Sequence, residues 1–428
     1  MPAPPARDQA VVARWIDEPT GWRVLIFPEL SIGVGALRKR DWVMQVDAKL
    51  IAARCRSHGN IQHTKNQELK LSMNVEISVL ERYSEGARER QESLCCPVSY
   101  DTDLLAMLPD EIIERDYGCG DPSRYVREGD VVLDLGSGGG KICYMAAQLV
   151  GQHGQVIGVD MNDDMLALAR SYQDEMAQRL CGDRVTFQKG NIQDLAMDVE
   201  ALDSYLETHP VNSHADYTAL KAWESAQRHE HPMIADNSID LVISNCVLNL
   251  VADHEKQQLL REIFRVLKPG GRVAISDIVS DRAIPRSMKD DPELWSGCIS
   301  GAFQETEFLD AFAASGFTAT KYDKWDIDPW KSINGIDFRS VTLTAIKPDA
   351  TGNLNGQHTV IYRGPFAMVA DDAGNTYQRG QRTAVPESTH ALLTNPAFDA
   401  AFIDLSNTGS AVATGCCSTE TSNGNSCC

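Results

Sequence analysis

Two groups of residues in this chain have the types and spacing that chemistry uses. The first is the run Asp134-Leu135-Gly136-Ser137-Gly138-Gly139-Gly140, followed by Asp160. Glycines in such a turn let the backbone approach a ligand closely and leave helix N-terminal amides aimed at it. Asp160 closes the apolar segment VIGVD, and an acid in that place accepts hydrogen bonds from the two hydroxyls of an adenosine ribose. The second group is the cysteines, 12 in all. Six fall in the pairs Cys95-Cys96, Cys416-Cys417 and Cys427-Cys428, while Cys55, Cys119, Cys143, Cys181, Cys246 and Cys298 stand alone. Without a secretory pattern at the start of the chain, thiols in such number point to three things: soft-metal or metalloid chemistry, thiol redox traffic, or tolerated buried Cys.

These groups need a frame, and the punctuation from residue 129 onward describes one. GDVVLDLGSGGGKICYMAAQLVG reads as a buried strand, a Gly-rich turn and a helix ending at Gly151. QVIGVD is the next strand, DDMLALARSYQDEMAQRL a helix, VTFQKGN a strand and IDLVISN a fourth strand. In HEKQQLLREIFRVL, Leu259, Leu260, Ile263, Phe264 and Leu267 recur at helical spacing until Lys268-Pro269-Gly270-Gly271 stops the helix. RVAISDI is the fifth strand. Strands that alternate with helices demand right-handed crossovers, and hence a parallel sheet covered on both faces. The expected fold is a doubly wound, Rossmann-like α/β sheet, which takes its ligand beyond the carboxyl ends of the central strands.

The chain has 428 residues, 43% hydrophobic and 23% charged, with 40 Lys and Arg against 60 Asp and Glu for a net charge of −20. So acidic a surface does not bind by neutralising phosphates, which excludes bulk nucleic acid and an anionic membrane face as expected partners. No apolar run approaches the roughly 20 residues of a membrane-spanning helix, and the expected setting is cytoplasmic. Residues 1–72 carry 11 Lys and Arg against 7 Asp and Glu, with three of the seven Trp, and are expected to be an appendage, disordered or accessory. The catalytic domain is expected over 73–348, opening with a helix that carries Val75, Ile77, Leu80 and Tyr83. A further helix is expected around Leu220, Trp223 and Ala226, with His209, His214, His229 and His231 solvated. Residues 355–405 read as short strands about a DDAGN turn, a small β-rich unit, and 406–428 as a flexible Cys-rich tail.

Taken in order, GDVVLDLGSGGG, VIGVDMND, VTFQKGNIQD, DLVISN and VLKPGGRVAISD resemble the motifs of the class I S-adenosylmethionine-dependent methyltransferases. The resemblance implies that Gly136, Ser137 and Gly138 lie against the methionine part of that cofactor, with Asp134 in the same set. It places Asp160 on the ribose, Met161 near the adenine, Asn191 and Ile192 flanking the base, and Asn245 at the end of the fourth strand, nearest the reacting methyl. A nicotinamide-binding fold competes, but no G-x-G-x-x-G with a following substrate domain is present.

YGCG around Cys119, SNCVLNL around Cys246, GCISGA around Cys298 and the Cys-paired tail resemble the arsenite methyltransferase family. LCCPVSYD and IIERDYGCGDPSRYVREG are most similar to its microbial, arsenosugar-associated branch. The resemblance implies trivalent arsenic at Cys119, Cys246 and Cys298, the family's remaining cysteine at Cys95 or Cys96, and a thiol reductant of glutathione or thioredoxin type as co-substrate. GCISGAFQE departs from the commoner G-[ED]-C-L-G-G-A-[LF]-Y-W, which leaves the number of methyl additions open. The chemistry suits the residues: trivalent arsenic is soft, prefers thiolates and keeps a lone pair after three bonds to sulfur. Two other functions stay open. A methyltransferase for a quinone, sterol or other organic acceptor would want an acid or His base near residue 249, and a thiol-rich metalloid carrier would use the fold only as a scaffold. Cys143 is expected in the core and Cys181 at the surface or in packing.

Overall fold

The computed structural model describes residues 14–17, 23–26, 76–91, 98–348, 358–372, 374–394 and 401–406. Cys55, Cys95, Cys96 and the four tail cysteines lie outside these, as do the tail and most of the appendage. The chain divides into two compact units, Met1–Gln67 and Glu68–Cys428. In the first, β1 (Arg14–Asp17) pairs antiparallel with β2 (Arg23–Ile26).

The second unit opens with α1, residues 76–88, in the place that Ile77, Leu80 and Tyr83 predict. Two short helices follow, α2 (Thr102–Leu105) and α3 (Asp110–Glu114). The alternating region then begins with β3 (Val131–Leu135), α4 (Lys141–Leu149) and β4 (Gln155–Asp160). The single helix expected next is instead two, α5 (Asp163–Ser171) and α6 (Gln173–Arg179), broken at Tyr172, whose φ of −104° and ψ of 2° leave the helical region. After β5 (Val185–Lys189) come α7 (Val199–Thr208) and α8 (His214–Glu230), on which the four expected surface histidines or their neighbours are exposed. β6 (Ile239–Asn245), α9 (Lys256–Val266) and the long β7 (Leu267–Ser280) complete the five predicted strands. Beyond them lie α10 (Arg286–Lys289), α11 (Pro292–Ser296), β8 (Phe303–Gln304), α12 (Glu305–Ala314), β9 (Thr318–Trp325), β10 (Lys331–Ile333) and β11 (Ile336–Ile346).

The sheet runs β5-β4-β3-β6-β7-β11-β10, with β8 added on β7 and β9 on β11. Strands β3 to β7 are mutually parallel and β11 is antiparallel to β7. Because successive side chains of a strand point to opposite faces, the two cores divide them by parity. Leu133, Val242, Val273 and Ile275 enter the core shared with α9 and α12, while Val132, Leu241, Ile243 and Ala274 enter the one shared with α4 and α5. Strands buried on both faces read as continuous apolar runs. The chain winds one way from β3 to β5 and then crosses to β6 on the other side of β3, so a crevice opens between the carboxyl ends of β3 and β6.

The last part of the chain has β12 (His358–Tyr362), a β13 (Met368–Ala370) and β14 (Thr376–Gln378) hairpin, β15 (Arg382–Val385) and β16 (Phe402–Asp404). The hairpin turns at Asp371–Asn375, as the DDAGN sequence predicts. A helix not foreseen there, α13 (Glu387–Leu393), starts directly after Pro386. Its core is small: Val360, Tyr362, Tyr377, Val385 and Leu393. Among the described residues no helix is long and apolar enough to cross a membrane.

Candidate active site

The carboxyl ends of β3, β4 and β6 open on a partly enclosed cavity of about 130 Å³. Of the residues expected to hold the cofactor, Asp134, Gly136, Ser137, Gly138, Asp160, Met161, Ile192 and Asn245 line it. Asn191 does not. It is exposed, because the turn closed by its carbonyl and the Asp194 amide (2.9 Å) sends its side chain outward while the apolar Ile192 goes in. Gly136 stands at φ +70° with its amide on the Val159 carbonyl at 2.8 Å, and a Cβ there would meet Val247 at 2.5 Å.

The wall has the features of a ligand site. Asp160 takes the amides of Gly138 and Asn162, each at 2.8 Å, which fix its carboxylate; burial raises its pKa and those amides draw it back. Ser137 Oγ is buried with no hydrogen-bond partner, an arrangement that native proteins resolve with a ligand or water. Asp134 is buried at the end of β3, and desolvation raises its pKa to about 7 while the Cys143 thiol donates to it at 3.2 Å. A glycine-lined wall, an unsatisfied hydroxyl and a fixed carboxylate fit S-adenosylmethionine.

Cys246, just past β6, lines the same cavity. Cys119 and Cys298 pack with it in one buried cluster that includes Ile278, Met288 and Phe338. Both Cys246 and Cys298 stand at φ +60°, a backbone state that residues with a Cβ adopt at a cost and that concentrates at functional sites. The loop bearing Cys119 lies flat on β6 and β7: a Cβ on Gly118 would fall 2.1 Å from Asn245 Nδ2, and one on Gly120 2.4 Å from Ser276 Oγ. Glycines on both sides of Cys119 are thus steric requirements. Asn245 accepts the amides of Cys119 (2.9 Å) and Gly120 (3.0 Å) and donates to the Gly120 carbonyl (2.8 Å) and the Tyr100 hydroxyl (3.3 Å). Its amide, expected nearest the reacting methyl, thus also holds the cysteine loop.

The expectation of three free thiols is corrected in one respect. Cys119 and Cys246 are joined in a disulfide with Cα atoms 5.8 Å apart, because the Asn245 clamp lays one over the other. Cys298 stands outside this disulfide, its thiol donating to the Cys246 carbonyl at 3.2 Å and lying 3.8 Å from the Tyr83 hydroxyl of α1. Cys181 is free and exposed, and Cys143 is free and buried, as expected.

Several residues of this arrangement were not singled out from sequence. Asp277, at the end of RVAISD, brings a carboxylate within 4.8 Å of both Cys119 and Cys246 sulfurs. Burial raises its pKa to about 7, and it takes the amides of Asn249 and Ile278 at 3.2 and 2.8 Å. Lys141, first residue of α4, is buried, paired with Asp116 and set 3.5 Å over the Tyr100 ring. Since Tyr100 also contacts Asn245, contacts run unbroken from the end of the Gly-rich turn to the Cys119 loop. Lys256 braces the other side, donating to Asp253 at 2.7 Å and to the Gly301 carbonyl beside the Cys298 loop. A lysine opening an otherwise apolar helix was the available signal for Lys141.

Residues 127–316 match a methyltransferase domain family, and residues 349–425 match a domain of unknown function. The chain is 35% identical over 238 residues to an arsenite methyltransferase of Aquipseudomonas alcaligenes, covering 55% of this chain and 58% of that protein. It is 30% identical over 317 residues to an arsenite methyltransferase of Mus musculus, covering 71% of this chain and 74% of that one. The fold is similar to the crystal structure of an arsenic(III) S-adenosylmethionine methyltransferase from Chlamydomonas reinhardtii, with a TM-score of 0.50 and 27% identity over 74% of this chain and 98% of that chain. At that identity and coverage, the chain belongs to the arsenite methyltransferase family.

Proposed function

We propose that this chain transfers the methyl group of S-adenosylmethionine to trivalent arsenic held by the thiolates of Cys119, Cys246 and Cys298. The observation that carries the reading is that Cys246 lines the same cavity as Gly136, Ser137 and Asp160, with the other two cysteines packed against it from distant segments. S-adenosylmethionine, when bound, supplies an electrophilic methyl carried on a sulfonium. Asp160 takes the ribose hydroxyls, Ser137 and the glycine turn hold the methionine end, and Met161 and Ile192 enclose the base.

The Cys119–Cys246 disulfide opens first. A thiol reductant of glutathione or thioredoxin type is oxidised to its own disulfide by two electrons, and both cysteines are released as thiols. Arsenite then loses three hydroxyls as water while three As–S bonds form. Arsenic has no proton to lose, so its lone pair attacks the methyl carbon without a general base, and the methyl–sulfonium bond breaks to release S-adenosylhomocysteine. The methylated arsenic, formally As(V), returns to As(III) when two of its thiolate sulfurs leave together as a disulfide that the thiol reductant reopens. Thiolates that hold it in line convert a bimolecular encounter into a positioned one, worth several kcal/mol. An organic acceptor would want a base near residue 249, and that position holds Asn249, whose amide donates to the Ile278 carbonyl at 2.7 Å. A reducing cytoplasmic setting suits thiols used in this way.

The test is to incubate the purified chain with S-adenosylmethionine, arsenite and a dithiol, and to speciate the arsenic by chromatography coupled to mass spectrometry. Methylated arsenicals are expected. Recovery of arsenite alone, with cofactor demonstrably bound, overturns the reading.

A further inference from the structure

The C-terminal β unit gathers a second cluster of ligating side chains with no part in methyl transfer. His358 starts β12, Glu387 and His390 share one face of α13 at i, i+3 spacing, and Asp404 ends β16. Pairing of His358 with Val385 brings the start of α13 over it, since the helix begins two residues after β15. One donor atom from each of His358, Glu387 and His390 lies within 4.8 Å of the others. The two imidazoles stack with centroids 4.2 Å apart and planes 20° from parallel. His358 Nε2 meets the Glu387 carboxylate, and His390 Nε2 lies 2.9 Å from Asp404 Oδ1.

Two features of this cluster ask for a cation. His358 Nδ1 and His390 Nε2 are buried without a hydrogen bond, so even the Asp404 contact is not oriented as one. Stacked imidazoles left neutral keep nitrogens unsatisfied, and protonating both sets like charges face to face. A divalent cation resolves both, because each ring offers a lone pair to it and two carboxylates balance its charge.

We propose that His358, Glu387 and His390, with Asp404 as fourth donor, bind one divalent transition-metal cation, and that zinc is the best fit. Imidazole and carboxylate donors at about 2.0–2.2 Å in a tetrahedron match this set, whereas calcium and magnesium prefer all-oxygen shells. Neighbouring donors on such a tetrahedron stand about 3.4 Å apart, so His358, Glu387 and His390, with donor atoms already within 4.8 Å of one another, need only small shifts to close on the ion. Asp404, 2.9 Å from His390 Nε2, must turn away from that ring to join them. The cation clips β12, α13 and β16 together in a unit whose apolar core, among the described residues, has five buried side chains, and units this small commonly need a metal or disulfide to hold them.

Thiolates are also zinc ligands, so the test must separate nitrogen and oxygen ligation from sulfur. The full chain, stripped with a chelator, is titrated with Zn2+ and bound metal counted after dialysis; a parallel sample is loaded with Co2+ and its absorption recorded. The His358→Gln/His390→Gln variant is expected to bind one equivalent of zinc fewer than the parent chain. It should also lose visible cobalt bands while keeping any sulfur charge-transfer band unchanged. Equal zinc stoichiometry in the two, or a parent cobalt spectrum of sulfur ligation alone, overturns the proposal. Should the double variant fail to fold, Glu387→Gln keeps size and packing at a partly exposed position. It is expected to weaken zinc binding at the nitrogen–oxygen site by roughly tenfold or more; unchanged affinity counts against the site equally.

Discussion

Serine at Cys246 or Cys298 replaces a soft thiolate with a hard hydroxyl that stays protonated at neutral pH, so either variant is expected to lose every methylation step. Cys119→Ser should be milder. A monomethylated arsenical already has one position filled by carbon and needs only two sulfurs, so this variant loses methylation of arsenite but keeps methylation of a monomethylated trivalent substrate. Arsenic speciation on both substrates distinguishes the outcomes, and full activity of Cys246→Ser on arsenite contradicts thiolate binding. Asp160→Ala removes the ribose acceptor and leaves the Gly138 and Asn162 amides without their present partner. Loss of about 1.5–3 kcal/mol weakens cofactor binding roughly ten- to a hundredfold by calorimetry, with arsenic binding nearly intact. What was legible at this scale is which residues gather: Asp160, Gly136, Gly138 and Cys246 line one cavity, and Cys119 and Cys298 pack against Cys246. What could not be read was pairing. Asn245 was placed correctly at the strand end, yet only coordinates reveal that three of its four hydrogen bonds serve the Cys119 loop and the fourth the Tyr100 hydroxyl, because a carboxamide serves backbone and ligand with the same groups.

Elements fix these side chains through close approach, and the Cys119 loop tests this. Gly118→Ala puts a methyl 2.1 Å from Asn245 Nδ2 and 2.6 Å from the Tyr100 hydroxyl, so the loop must lift off β6. The expected result matches Cys119→Ser, loss of arsenite methylation with the monomethylated substrate spared; a variant indistinguishable from the parent chain removes the clamp argument. Lys141→Met leaves Asp116 as an unpaired acid beside the cavity and is expected to destabilise the fold by about 3–5 kcal/mol in urea unfolding. The five central strands were legible because doubly buried parallel strands are written as apolar runs bounded by glycine and polar turns. The break between α5 and α6 was not, since nothing in RSYQDE forbids helix locally; Tyr172 departs from helical geometry, with its hydroxyl on Glu111 of α3, a tertiary contact. α13 escaped for a related reason: a short polar stretch after a proline has no period to read.

At the scale of the whole molecule, stability and pH are linked through two buried acids. Asp134 and Asp277 ionise near 3.8 when unfolded but hold their protons to about pH 7 in the fold. The folded chain therefore binds protons more tightly. This contribution is complete below about pH 4 and is lost as pH rises to about 7, by up to a few kcal/mol. The urea midpoint of the ligand-free chain should fall between about pH 5 and about pH 8, and Asp134→Asn should flatten that fall. A chain beginning at Met73 is expected to methylate arsenic as the full chain does, given the separate charge of residues 1–72 and the division of the two units at Gln67 and Glu68; an inactive product refutes this. The dispersal of the thiols has a consequence during synthesis. Cys119 and Cys246 are separated by 127 positions, and Cys298 lies 52 beyond Cys246. In an unfolded or half-translated chain, loops of that length keep the sulfurs at low effective concentration toward one another. From Cys119, Cys246 and Cys298 a nascent chain emerging in an arsenic-laden cell thus offers only isolated thiols, weak traps for a trivalent metalloid. Tight capture begins when β6 and β7 have paired and the toxic ligand can stabilise the finished fold instead of poisoning its assembly.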